Sequence, residues 1–180
     1  MIRRIALLAV LLAGCAHGKM GQVDTALEKN VITKTTPIFV EPISTQYAGI
    51  SGDKAGKADV VAKEKSTIES TFHQKIAEAL RAKGYNATAV SKGKTSGIVI
   101  SGFVTKIEHG SAAARYFAGM GAGSSNMFTD FKIEDRSKKK VLSKFQIIAT
   151  SGGESGFGSY LKEHLSNGAK QVVEYIQKAQ

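Results

Sequence analysis

Cysteine is nearly missing from this 180-residue chain. Cys15 stands alone, which excludes an intrachain disulfide scaffold and a multi-cysteine zinc site. Four histidines leave little material for a histidine-based metal cluster. Two prolines and no repeat period exclude a collagen-like or solenoid chain. Acidic residues are in deficit, 15 against 25 Lys+Arg, for a net charge of +10. No apolar run reaches the ~18 residues of a transmembrane helix. What remains is a globular composition, 42% hydrophobic and 22% charged, able to fold around a core.

The first residues read as an export address. Arg3 and Arg4 precede an unbroken apolar run, Ile5 to Ala13, as in the n- and h-regions of a secretory signal. The run ends in Leu12, Ala13, Gly14 and Cys15. These four residues resemble the lipobox of bacterial lipoprotein signal peptides, in which small residues precede a cysteine that receives a diacylglyceryl group. The resemblance implies cleavage between Gly14 and Cys15 and a lipid on the Cys15 sulfur. Each buried methylene of that lipid contributes about 0.8 kcal/mol to anchorage. Ala16, not Asp, follows the cysteine, which in Gram-negative bacteria resembles cargo sent to the outer membrane. Residues 1–14 are therefore expected as a lipoprotein signal peptide and residues 15–34 as a lipidated tether. Residues 35–180 are expected as a single domain. Loss of Arg3 and Arg4 lowers the charge from +10 to +8.

Within the domain, Pro37 to Pro42 reads as a first strand, bounded by its two prolines. Tyr47 to Ala62, with Gly49, Gly52 and Gly56, reads as an exposed loop. Ile68, Phe72, Ile76 and Leu80 recur at helical spacing over Glu64 to Lys83. Tyr85 to Val90 is a short strand. Gly97 to Ile107 is apolar on both parities, as in a strand covered on two faces. Met127 to Glu134 and Val141 to Ala149 alternate around a polar turn, Arg136 to Lys140, and should form an antiparallel hairpin. Leu161, Leu165, Ala169, Val172, Val173 and Ile176 mark a last helix over Ser159 to Lys178. The order β-α-β-β-β-β-α predicts an α+β fold. We expect a mostly antiparallel sheet of about five strands with both helices on one face.

The most distinctive stretch runs from Gly110 to Gly123 and is dominated by small residues around Arg115, Tyr116, Phe117 and Met120. On Gly110, Ala114, Arg115, Gly119, Gly121, Ala122 and Gly123, the chain resembles a family of bacterial lipoproteins of unknown function (domain of unknown function 4410). The resemblance spans residues 35 to 178 and brings no established activity. Two readings of the stretch stand. In one, the glycines permit a tight crossover beside the sheet, with Arg115 paired to Glu108 or Asp130. In the other, the stretch is a partner-docking surface. Tyr116, Phe117 and Met120 then supply contact area, Arg115 takes a carboxylate, phosphate or carbonyl group, and Gly119, Gly121 and Gly123 allow close approach. The glycines lead into a strand rather than a helix, against a dinucleotide loop. A second Gly-rich stretch, Ser151 to Gly158, lacks the lysine of a phosphate-binding loop and reads as a connector.

Lys132, Arg136, Lys138, Lys139, Lys140 and Lys144 cluster on the hairpin. They either guard a sheet edge or attract anionic lipid or cell-wall polymer. His73 and His164, on helices near charged residues, are expected to be solvated. No G-x-S-x-G, H-E-x-x-H or Cys/His arrangement is present. The expectation is a non-enzymatic cell-envelope lipoprotein at the outer membrane, facing the periplasm. It would work as a binding or assembly module through the Arg/Gly stretch. Its partners would be the membrane, through its anchor, and an envelope protein or a second copy of itself. No metal, no nucleic acid and no cofactor beyond the Cys15 lipid are expected. The alternatives are an envelope hydrolase or transferase acting on cell-wall or lipid material, with Glu108, His109 and Arg115 in one cleft, and a small-ligand or lipid binder with a pocket between helices and sheet.

Overall fold

The computed structural model describes residues 18–111, 124–151 and 159–180. The chain runs through β1 (Lys19–Thr25), β2 (Ile38–Val40), β3 (Gly49–Gly52), α1 (Ala58–Ala82), β4 (Ala87–Ala89), β5 (Ile98–His109), β6 (Ser125–Asp135), β7 (Lys140–Ser151) and α2 (Ser159–Lys178). The strands form one seven-stranded sheet in the order β1-β7-β6-β5-β2-β4, with β3 also paired to β5. β5, β6, β7 and β1 are antiparallel neighbours. β2 and β3 run parallel to β5, on its first and last residues respectively, and β4 runs parallel to β2.

This is the expected α+β class, with two corrections. The sheet has seven strands rather than about five, and one side of it is parallel. The parallel side follows from α1. A helix between β2 and β4 is the crossover that returns a chain to run parallel to its starting strand. The two added strands are β1 and β3. The residues expected as a tether contain β1, which pairs with β7 from Lys19 to Thr25. Beyond β1, Leu27 and Ile32 are buried. The Leu27 amide donates to the Tyr175 hydroxyl at 3.0 Å, and the Ser143 hydroxyl donates to the Thr25 carbonyl at 2.8 Å. Residues expected as an exposed loop supply β3 and the first turn of α1.

The core lies between the sheet and the two helices. Phe131 and Phe145 stack on the inner face of the sheet, with centroids 5.5 Å apart. Phe72 of α1 meets the edge of Phe131 at 6.0 Å, and Tyr175 of α2 stacks on Phe145 at 4.0 Å. Ile68, Ile76 and Leu80 of α1 and Val172 and Ile176 of α2 are fully enclosed. At Gly168 a Cβ would stand 2.8 Å from the Phe72 ring, so α2 comes this near α1 only because the residue is glycine. Among the described residues, aromatic and branched side chains thus pack between the helices and the sheet. β5 is covered on both faces only at Ile98, Val99 and Ile100. Farther on, Phe103 turns outward, because both helices lie on the other face.

The hairpin end is stapled. Glu41, just after β2, takes two hydrogen bonds from the Arg136 guanidinium, at 2.7 and 2.9 Å. It also accepts the amides of Gly93 and Lys94, each at 3.1 Å. Burial pushes the Glu41 carboxyl upward, but Arg136 and the two amides outweigh it and hold it below the usual value. Arg136 is thus a strut in the fold. Three more of the hairpin cations have partners: Lys132 with Glu134, Lys138 with Asp135 and Lys140 with Glu28. The hairpin does not form the sheet edge either, since β1 covers β7.

Candidate functional site

β5 ends at His109 and β6 begins at Ser125, which sits opposite Ser151, the last residue of β7. Both Gly-rich segments of the sequence therefore depart from the same end of the sheet. A register shift between Val104 and Lys106 places an extra residue in β5. Beyond it Ile107 and His109 face the helices, while Glu108 faces away. The imidazole of His109 is thereby set under the departure point of the Arg/Gly segment.

Four polar side chains from three elements meet there. Glu64 comes from α1, His109 from β5, and Tyr160 and His164 from α2. The Tyr160 hydroxyl donates to Glu64 Oε1. Glu64 Oε2 lies 3.1 Å from His109 Nε2, an ion-pair distance, yet the two are not aligned as a hydrogen bond and neither atom has another partner. The Tyr160 ring stands edge-on to His109 at 5.5 Å and to His164 at 5.9 Å. His164 Nε2 is 2.9 Å from the Ser125 carbonyl, which can only accept. Nε2 therefore carries the proton, and Nδ1 is left buried without a partner. Burial pushes the His164 imidazole down to about 4. The nearby His109 acts in the same direction, and the Ser125 carbonyl and Glu64 only partly oppose it. At neutral pH His164 is an uncharged donor.

β3 closes the outer side of the cluster. Gly52 has φ +89°, and a Cβ there would collide with the His109 carbonyl. Only glycine lets β3 lie this close to the end of β5. Just beyond, the Lys54 ammonium sits 3.7 Å over the Tyr160 ring. The assembly offers a carboxylate, two imidazoles and a phenol with unsaturated hydrogen-bonding capacity. Among the described residues, no group of three His, Cys, Asp or Glu is placed to hold a metal ion.

The residues singled out from the sequence fare unevenly. Gly110 directly follows β5 and the cluster. Arg115, Tyr116, Phe117, Gly119, Met120, Gly121 and Gly123 lie outside the described residues, as do Leu12, Ala13, Gly14 and Cys15. Glu108 and His109 do not converge: they occupy opposite faces of the sheet. Glu108 is held by Lys106 at 2.5 Å and Asn126 at 3.5 Å, and the Lys106 hydrogen bond keeps its carboxyl below the usual value. Asp130 accepts from Gln146 at 2.8 Å. Glu108 and Asp130 thus each have a partner among the described residues, and any pairing of either with Arg115 lies outside them. His73 and His164, expected in solvent, are buried, and burial lowers the His73 imidazole too. His164 was placed by a legible signal, since it falls between Leu161 and Gly168 on the inward stripe of α2.

The helix-free face of the sheet carries a second feature. A groove of about 690 Å³ crosses it from β1 to the segment after β2. Tyr47 (78% exposed) and Phe103 (44% exposed) line it, with Lys92, Lys144, Asp130 and Gln146 among the polar side chains. Periodicity could not reveal this groove, because no strand contributes more than three residues to it.

With this geometry in view, the chain can be set beside known proteins. The family "Domain of unknown function (DUF4410)" matches residues 24–153. No curated protein matches the sequence. Among solved structures, the fold is similar to that of the PelC dodecamer from Paraburkholderia phytofirmans. That likeness has a TM-score of 0.53 at 15% identity, over 87% of this chain and 96% of the other. It is also similar to a Xanthomonas campestris protein of family DUF330, with a TM-score of 0.51 at 9% identity, over 86% of this chain and 91% of that one. At such identities the likeness is one of fold.

Proposed function

The chain belongs to the DUF4410 family of bacterial lipoproteins, and we propose that it serves as a lipid-anchored, non-enzymatic binding and assembly module of the cell envelope. In this reading the leader is cut between Gly14 and Cys15, the Cys15 sulfur carries the lipid, and the domain sits at the outer membrane facing the periplasm. The carrying observation is the position of β1. Lys19 is already paired in the sheet and stands four positions after Cys15. At about 3.5 Å per residue, the sheet edge lies within ~14 Å of the lipidated residue. Among the described residues no helix is long and apolar enough to cross a membrane, so in this reading the acyl chains do the anchoring.

Assembly is the finer part of the proposal. The Arg/Gly segment and the second Gly-rich segment leave the sheet side by side, above the Glu64–His109–Tyr160–His164 cluster. In this reading a partner meets Arg115, Tyr116, Phe117 and Met120, which stand in the sequence between the end of β5 and the start of β6. The PelC structure that shares the fold is a dodecamer, which supports self-association as the form of the assembly.

Intact-mass analysis of the native protein tests the anchor. The expected product begins at Cys15 and carries acyl mass, and Cys15→Ser removes both acylation and membrane retention. An unmodified thiol, or a leader still attached, overturns the proposal. Photocrosslinking from position 116 or 117 in cells tests the assembly. A discrete crosslinked species is expected, and none at native expression removes the docking role.

A further inference from the structure

The groove on the helix-free face is built unlike the rest of the surface. Four large hydrophobic residues are exposed among the described ones, and Tyr47 and Phe103 both face this groove. Tyr47 is not on a loose loop. The Ser44 amide donates to Gly102 at 3.1 Å, and Val104 donates to the Ser44 carbonyl at 2.8 Å, which ties the segment to β5 beside Phe103. The amide and hydroxyl of Thr45 both donate to Glu69 of α1, at 2.9 and 2.7 Å, and the Ala48 amide closes a turn onto the Thr45 carbonyl at 3.0 Å. An exposed aromatic ring held on so fixed a turn is preorganised for a contact outside the chain.

The charges of the groove divide into committed and uncommitted ones. Glu41 is paired with Arg136, while Asp130 and Asp24 accept from the neutral amides of Gln146 at 2.8 Å and Gln22 at 2.6 Å and keep their charge. Lys132 is paired with Glu134 at 2.9 Å. Lys92 and Lys144 have no carboxylate within ion-pair distance among the described residues. Lys144 also stands directly across from Lys132 in the register, where like charges destabilise a sheet. After internal pairing, the groove presents two ammonium groups, two ring faces and two amide–carboxylate pairs. Each of those carboxylates keeps oxygen lone pairs for a hydroxyl donor.

We propose that this groove binds an acidic saccharide. Sugar rings lie against Tyr47 and Phe103, their hydroxyls meet the Gln146–Asp130 and Gln22–Asp24 pairs, and a carboxylate or phosphate on the sugar meets Lys92 and Lys144. The volume lies in the ~300–1,000 Å³ range of ligand sites. A peptide added as a strand would need an unpaired edge, which the face of a sheet does not offer. An acyl chain would need a longer apolar channel than two separated rings provide. The proposal does not rest on the lipid anchor or on the Arg/Gly segment.

Calorimetry on the full chain in detergent, with tetragalacturonate and a hyaluronan tetrasaccharide as probes, tests it. At least one probe should bind, and methyl-esterified tetragalacturonate, with the same rings and no charge, should bind at least tenfold more weakly than its acid. Joint replacement Tyr47→Ala with Phe103→Ala should weaken saccharide binding at least tenfold and leave inorganic tripolyphosphate unaffected. Lys92→Gln with Lys144→Gln should weaken both. All four side chains are exposed, and circular dichroism confirms that each variant is folded. The proposal is overturned if neither saccharide binds, or if the aromatic pair has no effect. It also falls if removing the rings dissolves self-association in sedimentation experiments and leaves saccharide binding intact, since the groove would then be an interface between copies.

Discussion

The two ends of the sheet bury polar side chains in opposite ways. At the hairpin end, Glu41 receives two guanidinium hydrogen bonds and two backbone amides. At the other end, Glu64 Oε2, His109 Nε2 and His164 Nδ1 are enclosed without a hydrogen bond. A saturated pair fixes its surroundings, because any movement strands a buried charge. An unsaturated cluster has capacity in reserve, and it lies where both Gly-rich segments depart. One end is therefore built to stay as it is. The other keeps hydrogen-bonding capacity that the described residues do not use.

Breaking the saturated end should have the largest effect. Arg136→Ala leaves the Glu41 carboxylate buried without its partner, and the expected loss is about 3–4 kcal/mol of stability. Urea denaturation followed by circular dichroism measures this; the chain has no tryptophan to report by fluorescence. A loss below about 1 kcal/mol would show that the staple is ornamental.

Acid should distinguish the two ends next. His164 has an ordinary value of 6.5 and is pushed down to about 4 in the fold. Between those values the unfolded chain binds the proton more readily, so acid favours unfolding. The contribution of His164 is complete above about pH 6.5 and declines by about 1.4 kcal/mol per pH unit. It is gone near pH 4, a total of about 3 kcal/mol. His73 adds in the same direction. Glu41, whose carboxyl is held below its usual 4.5, keeps its contribution until the pH falls under that value. Stability should therefore fall between pH 6.5 and 5 in the native protein and fall less steeply in His164→Leu. A flat profile over that window in the native protein would refute the account of the cluster.

A smaller effect should come from the wall of the cluster. Gly52→Ala forces a side chain into a left-handed backbone position and against the His109 carbonyl. A cost of about 2 kcal/mol is expected. Hydrogen exchange should quicken at β3 and His109 and stay unchanged at Glu41. Equal acceleration at both ends would erase the distinction drawn between them.

Much of the fold was legible where burial repeats at a fixed period. The stripe Ile68, Phe72, Ile76, Leu80 marked α1, and the alternation from Met127 to Ala149 marked β6 and β7. β1 was not legible, because an edge strand paired on one side leaves most of its residues in water and shows no alternation. β3 is Gly49, Ile50, Ser51 and Gly52, a composition that reads as loop. It becomes a strand only because β5 offers a parallel partner. The parallel half of the sheet was implicit in α1, whose 25 residues between two strands form a crossover rather than a hairpin. His164 could have been found from its place on the stripe of α2. The aromatic groove could not, since its parts are scattered between Gln22 and Gln146 and meet only through the register of the sheet.

The margins of the sheet carry one more consequence. On one side β1 has two register shifts, and on the other β4 has three residues. Neither rim offers a long, straight ladder to an incoming strand, so copies of this domain are poorly suited to grow into fibrils by hydrogen-bonding rim to rim. Any association between copies would have to use the faces and ends of the domain rather than its rims.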